Sequence, residues 1–166
     1  RKESSAASDV YKRQILLGLS WPTYGISSLI FISFIPLLFL INVYHKRFSF
    51  QLFFLIYLTF IIWNSISTSW LYYASFEGML FAIVVNSLLM TFIFSIYKII
   101  SLKINEKLSF IFLISLWISF EKFHLNWDFS WPWLNLGNVF SEKIDWIQWY
   151  ESVSYTHLTL PTTPYV

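Results

Sequence analysis

Gly78 to Tyr97 reads GMLFAIVVNSLLMTFIFSIY, an uncharged run held between Glu77 and Lys98. A helix needs about 20 apolar residues to cross the hydrocarbon of a bilayer, so this run has the length of one crossing. Its polar residues, Asn86 and Ser87, are of the kind that hydrogen-bond between membrane helices. Outward from it, charges punctuate further apolar runs. Phe48 to Phe76 is uncharged and longer than one crossing requires, so its far end, Asn64 to Tyr73, is expected to emerge into the interface. Ile26 to Tyr44 is uncharged and closes at His45, Lys46 and Arg47. Leu108 to Phe120 is too short to span alone, and its helix is expected to continue through Glu121 toward Leu125. Ile15 to Leu19 reads as the stump of an earlier helix, closed by Ser20, Trp21, Pro22 and Gly25. Strands are not expected, because a bilayer admits only helices and closed barrels. The expected fold is all-α: a polytopic transmembrane helix bundle of four membrane helices, a truncated first helix and an outer interfacial aromatic loop.

Composition agrees. The chain is 57% hydrophobic and only 12% charged, about half the charged fraction of soluble domains. It has no cysteine, which excludes disulfides, thiolate ligands and a cysteine nucleophile. The two ends differ in character. Ser4 to Gln14, SSAASDVYKRQ, is codon for codon a translation of the adapter used in transposase-based sequencing libraries, and Val153 to Thr163, VSYTHLTLPTT, translates its reverse complement. Residues 1–14 and 153–166 are therefore read as non-native and set aside, leaving 15–152 as a partial transmembrane domain. Its basic and acidic residues balance, so no basic surface for nucleic acid is indicated.

Orientation follows from the lysines and arginines. If the loops around Lys46 and Arg47, and around Lys98, Lys103 and Lys107, face the cytoplasm, five of the seven basic residues of 15–152 lie inside, as the positive-inside rule requires. Trp21, Trp70, Trp127, Trp131, Trp133, Trp146 and Trp149 then all fall in or beside the outer loops. An aromatic belt ordinarily decorates both interfaces. One-sided enrichment points either to an outer surface with a task or to tryptophans gathering where loops are long.

The outer side carries the candidate chemistry. Glu121 lies near the outer end of the last helix, where an ionisable group is a functional hypothesis by default. Trp117, Glu121 and His124 share one helical face at i, i+4 and i+7. That face either binds a lipid headgroup or contacts another domain, or its carboxylate simply pairs at headgroup level with a Trp indole N–H or with Lys143. His124 is read as an interfacial hydrogen-bonding residue, since no second histidine or acidic pair stands at metal-ligand spacing around it. Pro132 has no N–H and biases Trp131 to extended backbone. Gly137 permits a positive φ or a close backbone approach. Ser130 to Gly137 is therefore expected to fold back as a short turn on the membrane surface. Trp131 and Trp133, on either side of the proline, either wedge into acyl chains, wall an acyl-chain groove, or anchor the loop.

Taken in order, these residues resemble the membrane domain of bacterial apolipoprotein N-acyltransferases. Ser20, Trp21, Pro22 and Gly25 resemble the family's first helix end; Pro36, Leu37 and Leu38 its Pro-Leu-Leu run; Trp63, Asn64, Thr68 and Trp70 its Trp-Asn…Thr-x-Trp pattern. Asn86, Leu88, Leu89 and Met90 follow, then Glu121, Pro132, Trp133, Leu134 and Gly137 in the strongest block, and Ile147 to Glu151 leading toward a next helix. The resemblance implies a ping-pong reaction in which an extracytoplasmic nitrilase-like domain with a Glu, Lys and Cys triad takes an acyl chain from a phospholipid and yields it to a lipoprotein's N-terminal cysteine. None of that triad is present, so no residue here is expected to be catalytic and the chain is expected to be an inactive fragment. The expected lipid or substrate-platform residues are Glu121, Trp131, Pro132, Trp133, Gly137 and Glu151. The resemblance further implies no cofactor, no metal, a multi-pass place in the bacterial inner membrane, membrane phospholipid and lipoprotein as partners, and a monomer.

Two alternatives stay open on the residues alone: a small transporter subunit, with Asn86 and Ser87 lining a path, and a catalytically silent scaffold. Scarce intramembrane charge disfavours the first. No phosphate loop, zinc pattern, Ser/His/Asp arrangement or repeat of fixed period is present.

Overall fold

The computed structural model describes residues 17–21, 26–43, 48–127 and 131–148. All regular structure among them is helical, without a strand: α1 (Ile30–Ser33), α2 (Ile35–Val43), α3 (Phe50–Thr68), α4 (Phe76–Ser101), α5 (Glu106–His124) and α6 (Ile144–Ile147), with 3-10 turns at Ser27–Leu29, Ser69–Tyr73, Pro132–Leu134 and Leu136–Phe140. The three long helices start alike. Ser49 Oγ accepts the Leu52 N–H at 3.2 Å, Ser75 Oγ the Gly78 N–H at 3.1 Å, and Asn105 Oδ1 the Leu108 N–H at 2.8 Å. Each cap satisfies one of the N–H groups that a helix start leaves without a partner.

Two helical stretches are long and apolar enough to cross a membrane: Phe50–Tyr73 and Phe76–Ser101. The 19 residues of α5 span about 28 Å at 1.5 Å per residue, close to the hydrocarbon thickness. Its ends carry Glu106, Lys107, Glu121 and Lys122, which lower its apolarity below that of the other two. The run 26–44 forms two short helices rather than one. Pro36 is the reason: it cannot donate to the Ile32 carbonyl and its ring crowds that carbonyl, so the chain turns at Phe34 and resumes as α2.

Two further boundaries differ from the sequence reading. Asn64, Ser67 and Thr68 do not emerge; they are buried within α3, and the chain leaves the packed interior only in the Ser69–Tyr73 turn. Lys98 is not a loop residue. It is 3% exposed inside α4, and its ammonium donates to the Ile41 carbonyl at 2.9 Å, supplying a donor to the C-terminal end of α2. Its flanks, Ser95 and Tyr97, are also buried. The end of the uncharged run is thus set by packing against α2, which a count of charges cannot show. The helix expected to run past Phe120 does so, ending at His124 with Leu125 as its cap.

The core is aromatic. Phe60 and Trp63 of α3 have no exposed surface; they meet Phe94 of α4 at 5.4 Å from Phe60, Phe34 at 6.3 Å and Trp21 at 5.7 Å from Trp63, and Trp117 of α5 at 6.4 Å from Phe60. A polar pair ties α3 to α4, with Asn86 Nδ2 donating to Asn64 Oδ1 at 2.8 Å. Asn86 is helix-packing glue, as its place in the apolar run suggests. Gly18 brings residues 17–19 against α3: a Cβ there would lie 2.8 Å from Ile66 Cγ2, the close approach that small residues allow between helices. Outside, Phe31, Phe54, Phe81, Ile111 and Ile118 are each more than half exposed, an apolar exterior that water does not favour over so many contiguous residues.

Replacing Asn86 with leucine is expected to weaken the α3–α4 contact by about 0.6 kcal/mol, and by no more than about 1.7, the range for hydrogen bonds between membrane helices. Changing Asn64 to leucine as well should recover most of the loss, because neither polar group is then left unpartnered. Unfolding midpoints of the single and double variants in detergent test both statements.

Candidate functional site

Between the α1–α2 segment and α5 lies a groove of about 450 Å3, lined by Phe34, Leu38, Phe94, Leu113, Trp117 and Glu121 among others. Its walls come from three places for local reasons. The break at Phe34 turns that ring inward, where it stacks on Phe94 at 6.2 Å with the planes 7° apart and meets Trp117 edge-on at 5.7 Å. α5 contributes Phe110, Leu113, Ile114, Trp117, Ile118 and Glu121 at helical spacing on one face. Leu136, from the loop after α5, closes the end at which Glu121 sits.

Glu121 is the one acidic group in this groove. Its Oε1 accepts the Trp117 indole N–H at 2.9 Å and the Leu136 backbone N–H at 2.8 Å. The indole is one of the partners the sequence allowed. The backbone partner, 15 residues away, was not foreseen, and it makes the carboxylate a clasp that fixes the aromatic loop to the helix end. The loop holds itself by other means as well. Pro132 opens the Pro132–Leu134 turn, with Trp131 before it at φ −133° and ψ 71°, outside the helical region. Asn138 Nδ2 donates to the Pro132 carbonyl at 2.8 Å, and Leu134 and Val139 are buried beneath. Gly137 takes the second place of the Leu136–Phe140 turn, a right-handed conformation, with its surface exposed.

The remaining candidates are placed apart. Trp133 is 53% exposed and packs edge-on against Trp70 at 5.5 Å. Trp131 lines a separate cavity with His124. Neither lines the groove, whose walls are phenylalanine, leucine, isoleucine and Trp117. Glu151 lies outside the described residues, as do Pro22, Gly25, Lys46, Arg47, Ser130 and Trp149. His124 also departs from expectation. It is 3% exposed, sandwiched between Phe120 at 5.1 Å and Trp127 at 5.4 Å, and neither ring nitrogen has a hydrogen-bond partner. Sequence reasoning missed Phe34, Phe94 and Asn138. Proline two residues after Phe34 was the available signal for the first; the others depend on tertiary contacts. No group of three His, Cys, Asp or Glu residues able to hold a metal occurs among the described residues.

Among the described residues, Trp70, Trp127, Trp131 and Trp133 gather about the α3–α4 connection and the loop after α5. Trp21 meets Trp63, Trp70 meets Trp133, and His124, Trp127 and Trp131 share a cavity with Gly78 at the start of α4. Lys98, Lys103 and Glu106 belong to the opposite end, at the α4–α5 connection.

These features define a class: an all-helical protein with two helices long and apolar enough to cross a membrane, an aromatic end and an apolar groove closed by a carboxylate. The family model described as apolipoprotein N-acyltransferase N-terminal domain matches residues 15–161, and the chain belongs to that family. No curated protein matches the chain, and no solved structure does.

Proposed function

We propose that this chain is the membrane platform of an apolipoprotein N-acyltransferase, and that the groove between α1–α2 and α5 holds an acyl chain of a lipid substrate. The observation that carries the reading is the groove itself: about 450 Å3 of apolar space, open on an apolar exterior, with a clasped carboxylate at one end. In this reading the 26–43 segment, α3, α4 and α5 make four crossings of the bacterial inner membrane, the Trp-rich end faces outward, and residues 15–152 are the native part. The chemistry belongs to a nitrilase-like domain, since the sequence contains no cysteine on which a thioester could form. The donor is a membrane phospholipid and the acceptor a lipoprotein.

Such a groove gains little by apolar contact alone, because lipid tails are as apolar as its walls. What it provides is orientation. An acyl chain seated along Phe34, Leu113 and Trp117 has its polar end set toward the Glu121 rim, which turns a chance encounter in the plane of the membrane into a positioned one. Scarce charge within the helices gives a transport path no comparable support.

A phospholipid carrying a diazirine in its acyl chain tests this in vesicles. Cross-links are expected to concentrate on Phe31–Leu38 and Phe110–Ile118 and to fall several-fold in a Leu38→Trp variant that fills the groove. Labelling spread evenly over exposed residues such as Phe50 and Phe54 would show that the groove selects nothing. The enzymatic part has its own test: joined to the catalytic half of a family member, the chain is expected to support acyl transfer to a lipoprotein N-terminus, read as a mass increase.

A further inference from the structure

The groove between α1–α2 and α5 ends where its lining changes character. Leu38 of α2, Phe94 of α4, and Leu113 and Phe110 of α5 line its inner part. One helical turn further on, at i+4 or i−4, the same faces present Asn42, Lys98, Ser109 and Glu106, and these four line a separate cavity of about 210 Å3. Apolar wall passes into polar wall on all three helices.

Lys98 stands at that change. It is buried in α4, one turn beyond Phe94, and its ammonium crosses to α2, where it donates to the Ile41 carbonyl at 2.9 Å. Ile41 in turn lies just past Leu38. The side chain is therefore a bar between the two helices whose preceding turns are groove wall, and its bond satisfies one of the carbonyls that a helix end leaves open. A methylene pushed past this bar would take the carbonyl's donor from it or strip the ammonium of its partner, and a charge in apolar surroundings without partners is costly. Asn42 and Glu106, both exposed, would lose hydration in the same way.

The depth of the apolar part follows from the helix. From Glu121 at the rim to Phe110, the face of α5 covers about 16 Å at 1.5 Å per residue, about half of the roughly 30 Å of hydrocarbon in a bilayer. That is the depth of one leaflet. We propose that Lys98 closes the inner end of the groove and so sets the longest acyl chain that the groove holds extended. The inference rests on the acyl-chain reading of the groove, and it makes Lys98 a specificity-determining residue far from the Glu121 rim. Lipid tails are as apolar as the walls, so a longer chain loses little by bending out over Ile111 and Phe39, each more than half exposed. The stop governs where the chain end lies more than how tightly the lipid binds.

The test uses the full chain in vesicles with phosphatidylcholines that carry a diazirine at the acyl terminus, in lauroyl, palmitoyl and arachidoyl forms, and locates the cross-links by mass spectrometry. With increasing length the mark is expected to descend from Trp117 toward Phe110 and then to stop, the arachidoyl terminus marking Ile111 and Phe39 instead of Ser109 and Glu106. In Lys98→Met, which keeps a long side chain and removes its charge, arachidoyl marks on Ser109 and Glu106 are expected to rise about tenfold, the scale of one hydrogen bond to a charged group. Marks from a diazirine beside the carboxyl group should stay at Ile118 and Phe31 in both proteins, which a general loosening of the fold would not allow. An arachidoyl terminus that marks Glu106 in the unaltered chain as strongly as the palmitoyl terminus marks Phe110 overturns the proposal, as does a helical Lys98→Met variant with an unchanged pattern. If that variant loses its helicity by circular dichroism, the length series on the unaltered chain decides. Marks spread evenly over the exterior at every length remove the acyl-chain reading and the stop together, whereas marks confined to the groove that run on past Phe110 remove the stop alone.

Discussion

Trp117→Ala is expected to destabilise the helical packing by about 3–5 kcal/mol, the usual cost of emptying a large aromatic site. Trp117 is 7% exposed and meets four rings: Phe34 at 5.7 Å, Phe94 at 5.9 Å, Phe120 at 6.0 Å and Phe60 at 6.4 Å. Those rings belong to α3, α4, α5 and the turn between α1 and α2, so one truncation loosens every long element of the core. It also removes a wall of the groove. Trp117→Phe separates the contributions: it keeps most of the ring contact and removes the indole N–H given to Glu121, a loss of about 1.5–3 kcal/mol for a hydrogen bond to a charged group. Unfolding by SDS titration in mixed micelles measures both. An alanine variant no less stable than the phenylalanine variant would show that the ring cluster does not hold the helices together.

Glu121→Ala has a more local effect that is nearly as large. The carboxylate accepts two N–H groups through one oxygen, and its removal leaves the Trp117 indole and the Leu136 amide without an acceptor. At about 1.5–3 kcal/mol for hydrogen bonds to a charged group, amide exchange at Leu136 is expected to accelerate roughly ten- to a hundredfold, on the scale of 1.4 kcal/mol per factor of ten. Glu121→Gln retains a carbonyl oxygen at the same reach and should accelerate exchange much less. Phe60 and Ile93, buried in the middle of α3 and α4, serve as internal references that should not change. If Leu136 exchanges at the same rate in the alanine variant, the carboxylate is not what fastens the loop. In a fusion of the chain to the catalytic half of a family member the same pair of variants discriminates further: a clasp predicts that glutamine preserves whatever acyl transfer the fusion supports, whereas a role for the negative charge itself predicts that it does not.

Much of the helical plan could be read from charge spacing, because in an apolar chain the charged residues mark where helices end. That worked for α5, whose continuation past Phe120 follows from the shortness of its uncharged run. It failed at Lys98, where an ammonium reaches the Ile41 carbonyl from inside a helix. A long flexible side chain can satisfy its charge several ångströms from its own backbone, so its sequence position does not mark a loop. Pro36 stood in plain view, yet its effect depends on the carbonyl four residues earlier and on whether the bundle tolerates a turn at Phe34. The pairing of Glu121 with an indole was within reach, since Trp117 lies one turn away on the same face. Its second partner, Leu136 N–H, lies across a loop whose path no local propensity dictates. His124 shows the limit of residue type as a guide. Its ring is packed as an aromatic between Phe120 and Trp127, and only tertiary structure reveals that its nitrogens are buried without partners.

The amide pair between Asn64 and Asn86 bears on how this chain tolerates insertion. Each helical residue advances the side chain by about 100° around the axis, so one extra residue between Ser75 and Asn86 would swing the Asn86 carboxamide a quarter turn or more from Asn64. In an apolar surround neither amide has water to fall back on. The two helices are therefore keyed to each other in rotation as well as depth. Length changes in this protein belong in the turns, at Ser69–Tyr73 or between α4 and α5, where backbone can lengthen without rotating either partner.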